Sequence, residues 1–193
     1  ADELAQLQDN VPPVAWEQAQ AILSEQMGAD WREAHFAEFT ELPIASASVA
    51  QVYFAVLKNG TPVAVKILRP NIQRIIEHDL GLLDMAAWLV ETFLPDGKRL
   101  RPREVVEEFR RHLLDELDLQ REAANASQLK RNFKHSALLQ VPEIHWDYSS
   151  EKVMVMQRME GIPISQIAAL RAANIDLPQL ASDGVEIFFT QVF

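Results

Sequence analysis

The chain has 193 residues, 48% of them hydrophobic, enough for a real core in one domain or one and a half. Lys and Arg number 18 against 28 Asp and Glu, a formal charge of −10, which argues against a general nucleic-acid binder because such a protein needs a basic footprint. The absence of cysteine excludes a disulfide framework and a thiolate metal site, and fits a reducing compartment. No signal peptide opens the chain and no apolar run reaches the ~20 residues that span a bilayer. The nearest stretch, LLDMAAWLVETFL, is interrupted by Asp84 and Glu91, so the chain as written reads as soluble.

In chain order, VAWEQAQAILSEQMG carries apolar residues at helical spacing and stops near Gly28; DWREAHFAEF reads as a second short helix with Asp30 in a capping position. The pattern then changes. AQVYFAVLKNGTPVAVKIL is two strand-like runs around Asn59-Gly60, a strong hairpin signal. Pro70 and Asn71 end the second strand and start a helix whose apolar stripe is Ile72, Ile75, Ile76, Leu83, Ala86, Val90 and Leu94, closed by Pro95-Asp96-Gly97. After Pro102, REVVEEFRRHLLDELDLQREAANASQLKRNF reads as one longer helix, burying Val106, Phe109, Leu113 and Leu117. Two more strand-like segments, VPEIHWDYS and KVMVMQRM, follow with a turn at Ser149-Ser150. Gly161 and Pro163 mark a break, SQIAALRAAN reads as a helix, and LPQLASDGVEIFFTQVF as another with Leu180, Val185, Phe188, Phe189 and Val192 on one side. No capping signal closes it, so Phe193 reads as a cut. There is no internal repeat.

The strand PVAVKILRP raises the chemical question. Side chains alternate across a strand, so Val63, Val65 and Ile67 share one face and Ala64, Lys66 and Leu68 the other. A lysine on a half-buried face costs free energy unless a carboxylate or an anionic ligand meets it; the alternative is an edge strand whose lysine snorkels to water. On the long helix Asp115, Asp118 and Glu122 fall at i, i+3, i+7, with Glu116 beside them. Like charges at such spacings destabilise a helix by roughly 0.2–0.5 kcal/mol per pair, so this acidic face wants either water or an opposing cation, for which Lys66 is the best placed. A strand lysine held by a helix glutamate is how kinases orient nucleotide phosphates. The glycine-rich loop of ordinary kinases is missing: the segment before the hairpin is PIASASVAQV. Alanine does not reach positive φ as glycine does, so this loop is either a close-packed turn or holds phosphates differently.

Together, IASASVAQV, VAVKILRP, DELDLQREAANA and VMVMQRMEGIP resemble, in order and across nearly the whole chain, the UbiB family of atypical kinase-like proteins. The resemblance implies an α+β fold: a protein-kinase-like N-lobe of antiparallel sheet, long helix and helical insertion, plus the first helices of a C-lobe. It divides the chain into a helical extension at 1–40, an N-lobe at 41–159 with its insertion at 71–97, and an incomplete C-lobe at 160–193. Ala45, Ser46, Ala47 and Ser48 match the family's alanine-rich loop. Lys66 matches the phosphate-contacting lysine, Glu122 its ion-pair partner, and Glu116 with Asp118 the family's Glu-x-Asp element. By kinase analogy Met156 takes the gatekeeper position, Gln157 and Met159 present main-chain groups to an adenine ring, and Ala64 of the lysine strand is a further expected nucleotide-binding residue.

The implied cofactor is ATP or ADP with Mg2+, and the implied role is nucleotide binding and ATP hydrolysis in support of ubiquinone biosynthesis. Partners would be ubiquinone-biosynthesis proteins or lipid-like precursors, not nucleic acid, at the cytoplasmic side of a bacterial inner membrane. The family's Lys-x-Gly-Gln motif is expected before Ala1, and the catalytic-loop Asp and Asn and the magnesium-binding Asp-x-Gly after Phe193, so this span alone is expected to turn over little or no ATP. His78-Asp79 and Asp183-Gly184 imitate those motifs but fall in predicted helices, and the five histidines are scattered, giving no zinc pattern. The competing reading is a non-catalytic interaction or lipid-binding scaffold that uses the helices at Val14–Gly28 and Ile72–Leu94.

Overall fold

A computed structural model describes residues 12–192; the first eleven residues of the expected extension and Phe193 lie outside the described residues. Helix α1 (Trp16–Met27) ends at Gly28, whose φ of 98° is a conformation glycine reaches cheaply. Helix α2 (Trp31–His35) is shorter than its sequence suggests, and Asp30 makes no side-chain cap. Residues Phe36–Phe39, expected to continue that helix, form strand β1. Phe36 and Phe39 are spaced as on a helix, yet both are buried. A register irregularity between Phe36 and Glu38 lets both reach the core from a strand.

Strand β2 (Ala45–Ser46) and β1 both pair antiparallel with β3 (Ala50–Leu57). Strand β4 (Pro62–Leu68) pairs with β3 across the expected Asn59-Gly60 turn, with Val52 opposite Lys66, and β5 (Val153–Gln157) pairs with β4. The order β1-β3-β4-β5 makes β4 an interior strand, which removes the edge-strand explanation for its lysine. One face of the sheet carries Tyr53, Leu57, Val63, Val65, Ile67, Val153 and Val155. It is covered by Ala19, Ile22 and Leu23 of α1 and by Trp31, Phe36 and Phe39. Helix α1 is therefore core, not a free docking helix.

Helix α3 (Ile72–Phe93) packs on α4 (Pro102–Asp115). Its buried positions are Leu80 and Ala87, while Ile75, Leu83, Ala86 and Leu94 of the predicted stripe are exposed. A helix with one helical neighbour buries a narrow seam, here flanked by the ion pairs Asp84–Arg110 and Glu91–Arg103. The predicted long helix is two helices. It breaks after Asp115 and resumes as α5 (Leu119–Asn132), because the Asp118 carboxylate caps the new N-terminus by accepting from the amides of Gln120 (2.9 Å) and Arg121 (3.4 Å). Val106 and Leu117 are buried as expected, but Phe109 is exposed.

The segment expected to be a strand at 141–149 supplies only an isolated bridge, Ile144 to Met156, and a 3₁₀ turn at Trp146–Tyr148. Helices α6 (Ile167–Ala172) and α7 (Leu177–Val192) follow. On α7, Leu180 and Ile187 are half-buried, whereas Val185, Phe188 and Phe189 are exposed. Among the described residues no helix is long and apolar enough to cross a membrane.

Candidate functional site

Strand alternation directs Lys66 away from the α1-covered core, onto the face where Ala50, Leu68 and Met154 pack against Leu119, Ala123 and Ile144. Helix α5 lies over this face. Its start is fixed three ways: by the Asp118 cap, by the Leu119 amide donating to Glu151 O (2.9 Å), and by burial of Leu119 and Ala123. Glu122, in its first turn, thereby faces the lysine. Lys66 Nζ donates to both carboxylate oxygens, at 2.7 Å to Oε1 and 2.6 Å to Oε2. The side chains are 22% and 45% exposed, so the pair is half wet rather than sealed.

The pair borders a cleft of about 530 Å³ whose lining also includes Val49, Glu116, Arg121 and Asn125. The three carboxylates that the sequence aligned on one helix face have separate partners. Asp115 pairs with Arg121, Asp118 caps the helix, and Glu122 alone meets the lysine. Of the Glu-x-Asp element, Glu116 lines the cleft and Asp118 is turned to backbone amides.

Above the lysine, Ala45 and Ser46 lie in β2 and Ala47 and Ser48 in the turn to β3. The turn closes with the Ala47 amide on Ala50 O (2.9 Å), and none of the four residues takes a positive φ. A glycine-free loop is thus sterically unstrained here. Ala64, two residues from Lys66 on the same face and so about 7 Å away, is buried and sits opposite Met156. The Gln157 amide is occupied by Glu143 O at 2.7 Å. Among the described residues the Met159 amide meets no backbone acceptor. Beyond it, the Arg158 guanidinium stacks over Phe54, its carbon 3.8 Å from the ring centroid.

Sequence reasoning did not single out Arg69, Arg121 or Gln51. Arg69 follows the lysine strand directly and donates to the loop from Nε to Ala47 O (2.8 Å). Its only sequence signal is a charged residue where an apolar strand ends. Gln51 is a buried polar side chain that donates to the Tyr53 hydroxyl at 2.6 Å. Burial pushes the Tyr53 phenol above its ordinary pKa, and the hydrogen bond from Gln51 and the charge of Arg69 oppose that rise. Among the described residues no group of three or more His, Asp or Glu side chains is arranged to hold a metal ion.

The model of the ABC1 atypical kinase-like domain matches residues 6–193 of this chain. Over its 193 residues the chain is 54% identical to the protein named "Probable protein kinase UbiB" of Marinobacter nauticus, and it spans 35% of that relative's length. Among solved structures, Rv3197 of Mycobacterium tuberculosis, determined in complex with erythromycin, matches with a TM-score of 0.70 at 30% identity. That match covers 87% of this chain and 41% of the other. The antiparallel sheet, its lysine strand and the helix laid across it form a kinase-like N-lobe, and the chain belongs to the ABC1 family of atypical kinase-like domains.

Proposed function

We propose that the protein to which this span belongs binds adenine nucleotide with Mg2+ and hydrolyses ATP in support of ubiquinone biosynthesis. The observation that carries the reading is Lys66, held through both oxygens of Glu122 at the edge of an open cleft. An ammonium has three donors. Two are committed to Glu122, which sets the direction of the third toward a phosphate oxygen. The Ser48 and Val49 amides, which meet no backbone acceptor among the described residues, would donate to oxygens of the same phosphates. Ala64 and Met156 would floor the adenine site, with the Met159 amide as its donor. Bound Mg2+ would neutralise charge that builds on the phosphates; its ligands would come from chain that the longer relatives have beyond this span. Contacts with ubiquinone-biosynthesis proteins or lipid-like precursors, and attachment to the inner membrane, belong to the same proposal.

Mg2+-dependent ATP hydrolysis and ADP binding by calorimetry, measured on the full-length protein and on residues 1–193, test this. Turnover confined to the full-length protein and lost with Lys66→Ala is the expected result; equal turnover in the two would contradict it.

A second reading, a non-catalytic scaffold with a kinase-like fold, is favoured by α3, which leaves Leu82, Met85, Trp88 and Phe93 exposed. It predicts that Trp88→Ser abolishes partner or lipid binding while Lys66→Ala does not.

A further inference from the structure

Arg69 binds two separate pieces of chain at once. Its own amide donates to Val49 O (2.8 Å), fixing the residue against the end of the alanine-rich turn. From its side chain, Nε donates to Ala47 O (2.8 Å) and one terminal nitrogen to Ser46 Oγ (2.8 Å). That same terminal nitrogen reaches Pro12 O at 3.1 Å, in the strap that leads into α1. Two residues further along the strap, the Val14 amide donates to Oε1 of Gln51, a side chain 2% exposed that stands on β3 opposite Ser46. The strap therefore has two anchors, Arg69 and Gln51. Both sit at the end of the sheet from which the loop springs, and Arg69 holds strap and loop with one rigid guanidinium.

We infer that Arg69 is a positioning residue for the nucleotide loop, and that docking of the residue 12–14 strap and the phosphate-receiving shape of residues 45–49 are one coupled equilibrium. The chemistry is specific to arginine. Two backbone carbonyls and a hydroxyl are satisfied by a planar fork of donors, and none of the three acceptors carries a charge. No glycine stiffens or loosens the turn, so its conformation depends on what grips it from outside. An undocked strap frees the guanidinium to rotate and releases Ala47 O and Ser46 Oγ together. This deepens the nucleotide-binding reading and rests on it: it says what regulates that site.

The test uses the full-length protein, with amide hydrogen exchange measured without nucleotide and ADP·Mg2+ binding measured by calorimetry. Arg69→Met keeps the packing of the stem and removes every side-chain donor. It is expected to speed exchange in both 12–15 and 45–50 and to weaken ADP about tenfold, the size of one charge-assisted hydrogen bond. Arg69→Lys, with one compact ammonium, should recover only part of that. Gln51→Leu removes the side-chain bonds to the Val14 amide and the Tyr53 hydroxyl but none to the loop, and it is expected to speed exchange at 45–50 as well and to weaken ADP severalfold. Unchanged exchange at 45–50 in Arg69→Met overturns the positioning role. A loosened strap with an unaltered loop in Gln51→Leu overturns the coupling. If the unmodified protein binds no ADP, the nucleotide reading fails, while the exchange data still decide whether strap and loop move as one.

Discussion

Lys66 Nζ lies 2.7 and 2.6 Å from the two carboxylate oxygens of Glu122, a residue 56 positions later on a helix that crosses the sheet. The contact depends on interior placement of β4 and on the exact start of α5. With side-chain exposures of 22% and 45%, the pair stands between two energetic regimes. A sealed pair broken on one side costs roughly 3–5 kcal/mol, and an exposed one about 0–1 kcal/mol. Water reaches Glu122, so Lys66→Ala is expected to cost about 1 kcal/mol in urea denaturation while reducing ADP affinity at least tenfold. Loss of stability near the sealed-pair value would show that the cleft is drier than its geometry implies.

Asp118, expected from the sequence to belong to a Glu-x-Asp element, has backbone amides as its observed partners. Asp118→Ala should cost about 1 kcal/mol, as N-cap removal does, and loosen the first turn that carries Glu122. Asp118→Asn keeps the acceptor and should keep most of that stability. If the Asn variant is as stable as the parent yet loses ATP turnover, the carboxylate has a chemical role beyond the cap.

Gly97 tests the junction after α3. A β-carbon there would lie 1.9 Å from Val90 O, 2.7 Å from its carbonyl carbon and 3.0 Å from Glu91 Cα, all backbone atoms that cannot rotate aside. Gly97→Ala should therefore destabilise by about 2 kcal/mol, within the range for overpacking. Gly81, inside α3 with nothing within 4 Å of the added carbon, is the control. Gly81→Ala should stabilise by about 0.5–1 kcal/mol through helix propensity. Thermal unfolding of the two variants should move in opposite directions.

Tyr53 gives the fold an alkaline limit. Burial raises its phenol pKa above the ordinary value of about 10. The folded state thus holds this proton more tightly than the unfolded chain, so the associated stabilisation is intact below about pH 10 and is lost as pH rises past the folded value. Denaturation midpoints measured from about pH 8 to about pH 11 should fall more steeply in the parent than in Tyr53→Phe. The variant should also start lower, because Gln51 Nε2 loses its acceptor. Parallel curves would remove Tyr53 as the cause.

The hairpin, α1 and the face assignment of Lys66 were legible because each rests on local signals: Asn59-Gly60 sets the turn, apolar spacing sets the helix, and alternation sets the faces. The family resemblance was legible for the same reason, since its motifs are short and run in order. Local signals failed where two structures share one pattern. Phe36 and Phe39 have helical spacing, and only a bulged pairing with β3 reveals a strand. The stripe on α3 is apolar on most sides, and only its packing on α4 selects Leu80 and Ala87.

By itself the sequence determined that a cation would project from an apolar strand and that acids would lie on the helix after the insertion. Tertiary structure decided which acid. A break of three residues, closed by the Asp118 cap, reorients α5 so that one carboxylate of three reaches Lys66. The same level decided that Arg69 grips both strap and loop. Neighbours far apart in the chain are brought together by the register of strands and the start of a helix, and periodicity within one segment carries no information about either.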